Sequence, residues 1–285
     1  MIFGILGNTQ KERVRQLVPQ LMDWLQANQI PFILADDLYK YLELNDSAIR
    51  WMSIEKVAQT AQIIIAFGGD GTILGTARSI GKSGIPILGV NLGRLGFLAE
   101  ISPEELFQRI EEILNDNYGI IERSVLQASI KSGKGYQKVY ALNDIVVEKG
   151  YYSGLIQLDV FIDEEYLNRY RCDGVIISSP TGSTAYSLSA GGPILENAVK
   201  AMIINPICPH SLGARPVVIS DEREVKVAAC SKASTIMLSS DGQFSRPLAP
   251  GDEVTIRKAE YSLKWVKCFG KSFYDVLRTK LNWGD

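Results

Sequence analysis

The chain has 285 residues, of which 46% are hydrophobic and 22% charged, and its formal net charge is −2. This composition is ordinary for a globular protein with a packed core, and the near-neutral charge argues against a nucleic-acid-binding protein, which normally carries a basic stripe. The apolar run at residues 2–6 precedes positive charge instead of following it, and no segment approaches the roughly 20 apolar residues of a membrane span. We therefore expect a cytoplasmic protein with no membrane partner.

The cysteines lie far apart in the chain, and no two of them form a CxxC pair. We expect free and mostly buried thiols, as is typical of a reducing compartment, at Cys172, Cys208, Cys230 and Cys268. No cluster of His, Cys and carboxylate residues has the spacing of a metal site, so no permanently bound metal is expected.

The first hundred residues alternate short apolar runs with amphipathic stretches. Strands are predicted where the runs are apolar throughout, at 2–6, 31–35, 63–67 and 85–90. Helices are predicted between them, one from the spacing of Val14, Leu17, Leu21 and Leu25 and one closing at 58–61. Fully apolar strands separated by helices indicate a Rossmann-like parallel sheet covered on both faces.

A further helix is predicted to begin near residue 102. Ser102 can cap it, Pro103 suits its first turn and Glu105 completes a capping box. Its expected buried stripe consists of Leu106, Ile110, Ile113 and Leu114.

After about residue 120 the hydrophobic period changes to two. Alternation at 156–162, 225–227, 236–238 and 254–256, with a polar turn at Asp163, predicts an antiparallel β-sandwich. A last amphipathic helix is predicted from Phe273, Val276, Leu277 and Leu281. We expect an α/β domain over 1–100, with 258–285 returning to pack on it, and an all-β sandwich domain over 101–257.

The segment Gly68-Gly-Asp-Gly-Thr72 follows a buried strand and precedes a helix. Glycines there let the backbone take positive φ and approach a ligand closely, and backbone N–H groups before a helix form a phosphate cradle. Asp70 would be repelled by phosphate unless it orients an attacking hydroxyl or helps to hold a metal ion. The alternative is a tight turn in which Asp70 caps the helix. A Walker A loop is excluded, because neither Gly-Lys-Ser, at 81–83 or 270–272, has the required leading glycine.

This Gly-Gly-Asp-Gly-Thr segment resembles the motif shared by NAD kinases, diacylglycerol and sphingolipid kinases, and phosphofructokinases. Three further segments, 91–98, 141–144 and 173–193, are similar to NAD kinases in particular. The resemblance extends from about residue 2 to residue 281. It implies an α/β domain followed by a β-sandwich domain that binds NAD.

Asn143 and Asp144 offer donors and acceptors suited to ribose hydroxyls or an adenine edge, although an ordinary Asn-Asp turn is equally compatible. Tyr186 stands among small and hydroxylated residues, which suits either an aromatic wall for a base or a structural turn. The resemblance implies dinucleotide binding by Asp70, Gly71, Asn143, Asp144, Arg171, Asp173, Thr184, Ala185, Tyr186, Ser187, Leu188, Ser189 and Gln243.

The segment 208–216 contains His210, the one histidine of the chain. A single histidine is compatible with a packing or hydrogen-bonding role and with ligand binding. By resemblance this segment reaches NAD bound mainly to a neighbouring subunit, which implies a homodimer or homotetramer with sites completed across subunits. Some family members have His where this chain has Gly154, so that side chain's contact is absent here.

The expected activity is transfer of the terminal phosphate of ATP or polyphosphate to the 2′-hydroxyl of the adenosine ribose of NAD. NAD and ATP would be substrates, Mg²⁺ would arrive with the phosphate donor, and Asp70 would align the hydroxyl and take its proton late. Alternatives are a non-catalytic dinucleotide sensor and a lipid or diol kinase, although no apolar groove or membrane-facing patch is evident. A serine hydrolase is not favoured, because the sequence has no GxSxG elbow.

Overall fold

The computed structural model describes residues 1–93, 96–99, 101–132, 135–151, 154–230, 236–249, 251–270 and 272–283. The chain divides into two compact units. Unit 1 comprises Met1–Glu122 and Leu263–Asp285, and unit 2 comprises Arg123–Ser262. Residues 101–122 therefore cluster with unit 1, beyond the boundary near residue 100 that the sequence led us to expect.

Unit 1 contains a parallel sheet with strand order β5-β4-β1-β2-β3. Its strands are β1 (Phe3–Gly7), β2 (Phe32–Ala35), β3 (Trp51–Met52), β4 (Ile63–Gly68) and β5 (Pro86–Asn91). Its helices, up to residue 122, are α1 (Glu12–Ala27), α2 (Asp36–Tyr41), α3 (Ile54–Thr60), α4 (Asp70–Ile80) and α5 (Leu106–Leu114). The predicted parallel α/β architecture is confirmed.

The hydrophobic periodicity explains the longer elements of unit 1. The predicted stripe of α1 is buried, and β4 is buried along its whole length. The capping box of Ser102 and Glu105 is present, with Pro103 in the first turn before α5. In α5 three of the four predicted stripe residues are buried, and Leu114 is half-buried. The short α2 and β3 were not predicted, because they have too few residues to show a period.

Unit 2 is built from antiparallel strands. Their bounds are β6 (Gly119–Ser132), β7 (Gly135–Ala141), β8 (Asp144–Lys149), β9 (Ile156–Ile162), β10 (Glu165–Cys172), β11 (Gly174–Ser178), β12 (Ala201–Ile207), β13 (Val217–Ser220), β14 (Val225–Ala229), β15 (Ile236–Ser240), β16 (Phe244–Leu248) and β17 (Glu253–Lys267). One short helix, α6 (Tyr186–Ser189), follows β11 and a 3₁₀ turn at Thr181–Thr184.

Two strand sets of unit 2 share one hydrophobic core. The first has the order β13-β12-β11-β8-β15-β16, and the second contains β10-β9-β14-β17 and the β6–β7 hairpin. Side chains from both sets, such as Val175 and Val227, belong to the same buried cluster. The predicted antiparallel sandwich is confirmed. The polar turn joins β9 to β10 through Asp163 and Glu164, both with positive φ, as a two-residue hairpin turn of type I′ requires.

The last strand begins in unit 2 and ends in unit 1. In unit 1 its residues Lys264 and Trp265 pair in parallel with Pro86 and Ile87 of β5. The helix α7 (Phe273–Leu281) follows, begins with a capping box of Ser272 and Asp275, and clusters with unit 1.

All four cysteines are free, but the expectation that most are buried is wrong. Cys172 and Cys268 are buried, whereas Cys208 follows β12 in a surface loop and Cys230 lies just beyond β14. In the part of the chain that the structure describes, no helix has the length and apolar character needed to cross a membrane.

Candidate active site

Asp70 is the first residue of α4, and its side chain does not cap that helix. Oδ2 accepts the N–H of Phe97 at 3.0 Å, and Oδ1 accepts the N–H groups of Leu98 at 3.0 Å and Ala99 at 3.3 Å. The carboxylate therefore binds the loop that follows β5, and the helix-capping alternative is wrong. Two carboxylate oxygens have about four acceptor positions, so three N–H donors leave room for one further donor.

The same loop is held from its other side by the last strand. The indole N–H of Trp265 donates to the carbonyl of Leu98 at 3.2 Å, and Trp265 is buried. Gly89 allows this close packing, because a Cβ there would lie 2.9 Å from the Leu98 carbonyl oxygen. Gly96 is needed for another reason: a Cβ at that position would overlap the Asp70 carboxylate. Two residues of the similar segment 91–98, Arg94 and Leu95, lie outside the described residues.

The glycines of the Gly-Gly-Asp-Gly-Thr segment differ in what they do. None of the three has a positive φ, so the expectation of positive φ is wrong. Gly68 is required by packing, because a Cβ there would overlap the side chain of Thr72. Gly69 and Gly71 have no atom within 4 Å of a built Cβ. Neither backbone conformation nor internal packing therefore explains glycine at 69 and 71.

A second candidate region lies in unit 2, in a cavity of about 330 Å³. Four residues that the sequence analysis singled out line it together, namely Asn143, Asp144, Ala185 and Tyr186. The remaining lining residues were not predicted as site residues: Val146, Glu148, Ser239, Asp241 and Gly242. The cavity thus combines an exposed aromatic ring, an amide and carboxylates, a set suited to a base and sugar hydroxyls.

Asp241 organises the backbone of this cavity. Its Oδ2 accepts the N–H of Leu142 at 2.9 Å, and its Oδ1 accepts those of Asn143 at 2.7 Å and Asp144 at 3.2 Å. Asp241 and Gly242 both have positive φ at the centre of the turn from β15 to β16. The Asp-Gly dipeptide predicts such a turn, and that signal would have identified Asp241.

The α6 turn, which includes Tyr186, is anchored from within unit 2. Asn205 of β12 donates through its side-chain amide to the carbonyl of Ser187 at 2.9 Å. Gly182 lets the 3₁₀ turn before α6 pack closely against Asn143, since a Cβ at Gly182 would overlap the Asn143 carbonyl. Because Ser187 is buried and its hydroxyl accepts from Asn205 at 3.3 Å, its side chain stabilises the turn.

Burial controls the electrostatics of the unit 2 cavity. Desolvation, with smaller contributions from the charges of Asp241 and Glu148, raises the pKa of Asp144 to about 7. Burial also raises the pKa of Glu148 and that of Tyr186 above their ordinary values. Asp144 therefore changes protonation state near neutral pH.

The described lining of this cavity does not include the other residues predicted to bind in unit 2, which are Arg171, Asp173, Thr184, Ser187, Leu188, Ser189 and Gln243. Asp173 forms an ion pair with Lys149 at 2.7 Å, a partner that the sequence did not suggest. Arg171 is exposed, and its carbonyl accepts the N–H of His210 at 2.7 Å. His210 is itself exposed, which argues against a packing role.

Across the described ranges, no group of three or more His, Cys, Asp and Glu side chains is arranged to hold a metal ion. A metal ion carried by a phosphate donor would keep most of its ligands from phosphate and water, as Mg²⁺ prefers.

Comparison with known proteins assigns both units. Residues 3–118 match the model of the ATP-NAD kinase N-terminal domain, and residues 142–268 match that of the ATP-NAD kinase C-terminal domain. NAD kinase of Prosthecochloris aestuarii is 38% identical over 285 residues, covering 100% of this chain and 98% of that protein. NAD kinase of Carboxydothermus hydrogenoformans is 40% identical over 276 residues, covering 96% and 97%.

Solved structures show the same likeness. The crystal structure of yeast NADH kinase complexed with NADH matches with a TM-score of 0.91 at 26% identity, covering 100% of this chain and 88% of that one. The structure of an NAD kinase from Archaeoglobus fulgidus in complex with ATP matches with a TM-score of 0.78 at 26% identity, covering 99% of both chains.

The two glycines that precede Asp70 should respond differently to alanine. Gly68→Ala introduces an overlap with Thr72 and should lower the free energy of unfolding by about 1–3 kcal/mol, as overpacking does. The methyl group added by Gly69→Ala has no atom within 4 Å, so this variant should change the free energy of unfolding by less than about 0.5 kcal/mol. Urea unfolding of the two purified variants measures the difference. Equal stabilities would contradict the packing role assigned to Gly68.

Protonation of Asp144 should appear in the pH dependence of stability. The raised pKa means that the folded protein keeps this proton up to about pH 7, while the unfolded chain releases it near pH 4. The free energy of unfolding should therefore fall as the pH rises from about 4 to about 7, and this group contributes at most about 1.4 kcal/mol per pH unit to the fall. Asp144→Asn should flatten this fall in urea unfolding at pH 5, 6 and 7.

Glu222→Gln, at an exposed carboxylate outside the cavity, is the matched control for the Asp144 experiment. Parallel profiles for the wild type and Asp144→Asn would rule out the raised pKa.

Proposed function

The chain belongs to the ATP-NAD kinase family, and on that premise we propose that it transfers the terminal phosphate of ATP to the 2′-hydroxyl of the adenosine ribose of NAD, forming NADP and ADP. The observation on which this rests is the Asp70 carboxylate, oriented by three backbone N–H groups beside two glycines that the protein's own packing does not require.

Gly69 and Gly71 support close approach of a phosphate. Glycine within a helix destabilises it by about 1 kcal/mol relative to alanine. Gly71 lies in the first turn of α4, and a Cβ there would have no atom within 4 Å, so space does not require glycine at this position. Leaving out the side chain lets phosphate oxygens approach the backbone at the positive end of α4 closely. The negative charge of a triphosphate would be offset there by the backbone amides and by the Mg²⁺ that arrives with it.

Asp70 has the geometry of an orienting group. Its remaining acceptor position suits a hydrogen bond from the 2′-hydroxyl. The hydrogen bonds from the backbone N–H groups keep the carboxylate in one orientation. As the bond from the ribose oxygen to the terminal phosphorus forms, the bond from that phosphorus to the bridging oxygen of ADP breaks. The hydroxyl proton passes late to Asp70, because a loose transition state needs alignment more than a strong base.

The unit 2 cavity suits the adenosine part of NAD. The ring of Tyr186, 42% exposed, offers a face for the adenine, and Asn143 and Asp144 offer donors and acceptors for the base edge or ribose. Arg171, exposed on β10, suits a phosphate or the carboxamide, and Asp173 beside Lys149 suits a polar group of the dinucleotide. Thr184, Leu188, Ser189 and Gln243 complete the proposed contacts.

We further propose a cytoplasmic homo-oligomer in which His210 reaches NAD bound to a neighbouring copy. The exposure of His210, and of Leu212 at 98%, in the loop after β12 supports this role, since that loop presents side chains outward. Analytical ultracentrifugation would contradict the proposal if the protein stayed monomeric with NAD at saturation.

Asp70→Asn should lower kcat for NADP formation by about 10²–10⁴-fold, the usual loss for a proton-transfer group, while the Kd for NAD changes little. The substitution also turns an NH₂ group toward one of the three amide donors, so loop displacement must be measured separately. Retention of most activity by Asp70→Asn would show that Asp70 is not catalytic.

Trp265→Phe is the control for loop displacement. It removes the hydrogen bond to the Leu98 carbonyl on the other side of the loop and leaves the Asp70 carboxylate intact. We expect a much smaller loss of kcat than for Asp70→Asn. Equal losses in the two variants would assign the effect to loop position instead of the carboxylate.

Gly71→Ala separates stability from activity at the phosphate-binding turn. Because alanine favours a helix and meets no atom within 4 Å, the variant should be as stable as the wild type or more stable by up to about 1 kcal/mol. Its KM for ATP should nevertheless rise, since the methyl group occupies the space proposed for phosphate. A stable variant with unchanged ATP kinetics would refute that use of Gly71.

A further inference from the structure

The loop that follows β5 is contacted twice by the C-terminal part of unit 1. The indole N–H of Trp265 donates to the Leu98 carbonyl at 3.2 Å. One residue earlier in the loop, the ammonium nitrogen of Lys280 lies 5.7 Å from the centre of the Phe97 ring. Trp265 belongs to the last strand and Lys280 to α7, so two different elements hold neighbouring residues of this loop.

The contact between Lys280 and Phe97 is a cation–π interaction. The face of an aromatic ring carries partial negative charge and attracts a lysine or arginine cation within about 6 Å of the ring centroid. Phe97 is half-buried and Lys280 is exposed, so the ammonium group reaches the ring from the solvent side. This contact depends on charge, which separates it from ordinary apolar packing.

The packing of α7 fixes the position of Lys280. A capping box of Ser272 and Asp275 sets the first turn of the helix, with the Asp275 N–H donating to the Ser272 hydroxyl at 3.2 Å. Val276 and Leu277 are buried. Lys280 follows them by four and three residues, which puts it on the same face of the helix one turn later. The lysine is therefore carried by an anchored helix and not by a loop.

Phe97 matters to the proposed reaction through its backbone. Among the described residues, Asp70 Oδ1 accepts two N–H groups, from Leu98 and Ala99, whereas Oδ2 accepts one, from Phe97 at 3.0 Å. A carboxylate oxygen has about two acceptor positions, so in this part of the chain the vacant position lies on Oδ2. A shift of Phe97 would therefore change the orientation of the oxygen that has to meet the substrate hydroxyl.

We propose that Lys280 is a positioning residue for phosphoryl transfer. Its ammonium group holds the Phe97 ring, and the Phe97 N–H then keeps Asp70 Oδ2 oriented toward the substrate hydroxyl. The proposal rests on the proposed kinase function and assigns a part in it to the C-terminal helix. Lys280 acts through Phe97 and not on the transferred phosphoryl group.

Two substitutions of Lys280 separate its charge from its bulk. Lys280→Met keeps an unbranched side chain and loses the cation, so kcat for NADP formation should fall about two- to five-fold, with the KM for NAD within about two-fold. Lys280→Arg keeps the cation, and its kcat should stay within about 1.5-fold of the wild type. Lys56→Met, at an exposed lysine of α3, is the matched control and should leave kcat unchanged.

The kinetic constants are measured well below the unfolding midpoints, and urea unfolding confirms that each variant is fully folded there. A merely structural role of Lys280 would lower the unfolding midpoint and leave kcat of the folded enzyme unchanged, which would overturn the proposal. An arginine variant as slow as the methionine variant would overturn it too, because only the methionine variant lacks the charge.

A double-mutant cycle with Phe97→Leu tests whether Lys280 acts through the ring. Without the ring there is no cation–π interaction to lose, so Lys280→Met should lower kcat by less than about 1.5-fold in the Phe97→Leu background. An equal loss in both backgrounds would show that the ammonium group acts elsewhere, for example on the phosphate donor, and would overturn the proposal.

The amide proton of Phe97 reports its hydrogen bond to Asp70 in NMR spectra of the full-length protein, whether or not NADP forms. Its signal should move in Lys280→Met and stay in place in Lys56→Met. An unmoved signal in Lys280→Met would overturn the positioning role. The proposed function fails separately if the wild type forms no NADP from NAD and ATP.

Discussion

Three backbone N–H groups donate to one carboxylate, and this interaction joins the loops at the carboxyl ends of two neighbouring strands of the unit 1 sheet. Asp70 begins the helix after β4, while the donors, residues 97–99, belong to the loop after the neighbouring strand β5. Hydrogen bonds to an ionised acceptor are about twice as strong as neutral ones. They fix an irregular loop whose amides would otherwise lack partners, and Trp265 holds the same loop from its opposite side.

Unit 2 contains the same kind of interaction, a carboxylate that accepts three backbone N–H groups. Asp241 collects three consecutive N–H groups, from Leu142 to Asp144, and so fixes the backbone that enters β8. In both units a carboxylate with positions for about four hydrogen bonds accepts three from backbone. An acidic residue in an amide-rich loop therefore has a structural explanation in each case. At Asp70 it also leaves one acceptor position beside the proposed phosphate site.

The glycines divide according to what surrounds them. Gly68, Gly96 and Gly182 are required because a Cβ would overlap a neighbouring side chain or carbonyl. A Cβ at Gly69 or Gly71 would have no atom within 4 Å, and neither residue has a positive φ. These two glycines flank the carboxylate proposed to orient the substrate hydroxyl, and in the proposed function the space beside them is used by a phosphate.

The sequence by itself determined the elements whose cause is local. Hydrophobic period separated the α/β part from the β-sandwich, and the capping box at Ser102 located the start of the turn before α5. Resemblance in the short motifs brought out Asp70, Asn143 and Asp144. These signals are readable because near neighbours along the chain produce them.

Only the tertiary structure decided what those residues contact. Asp70 binds amides 27 to 29 positions away, and Asp241 binds amides 97 to 99 positions away. No period or motif encodes such pairs, because the partners are backbone N–H groups that every residue but proline possesses. The role of Trp265 is not visible in the sequence either, because its indole N–H donates to a backbone carbonyl 167 positions away in the chain.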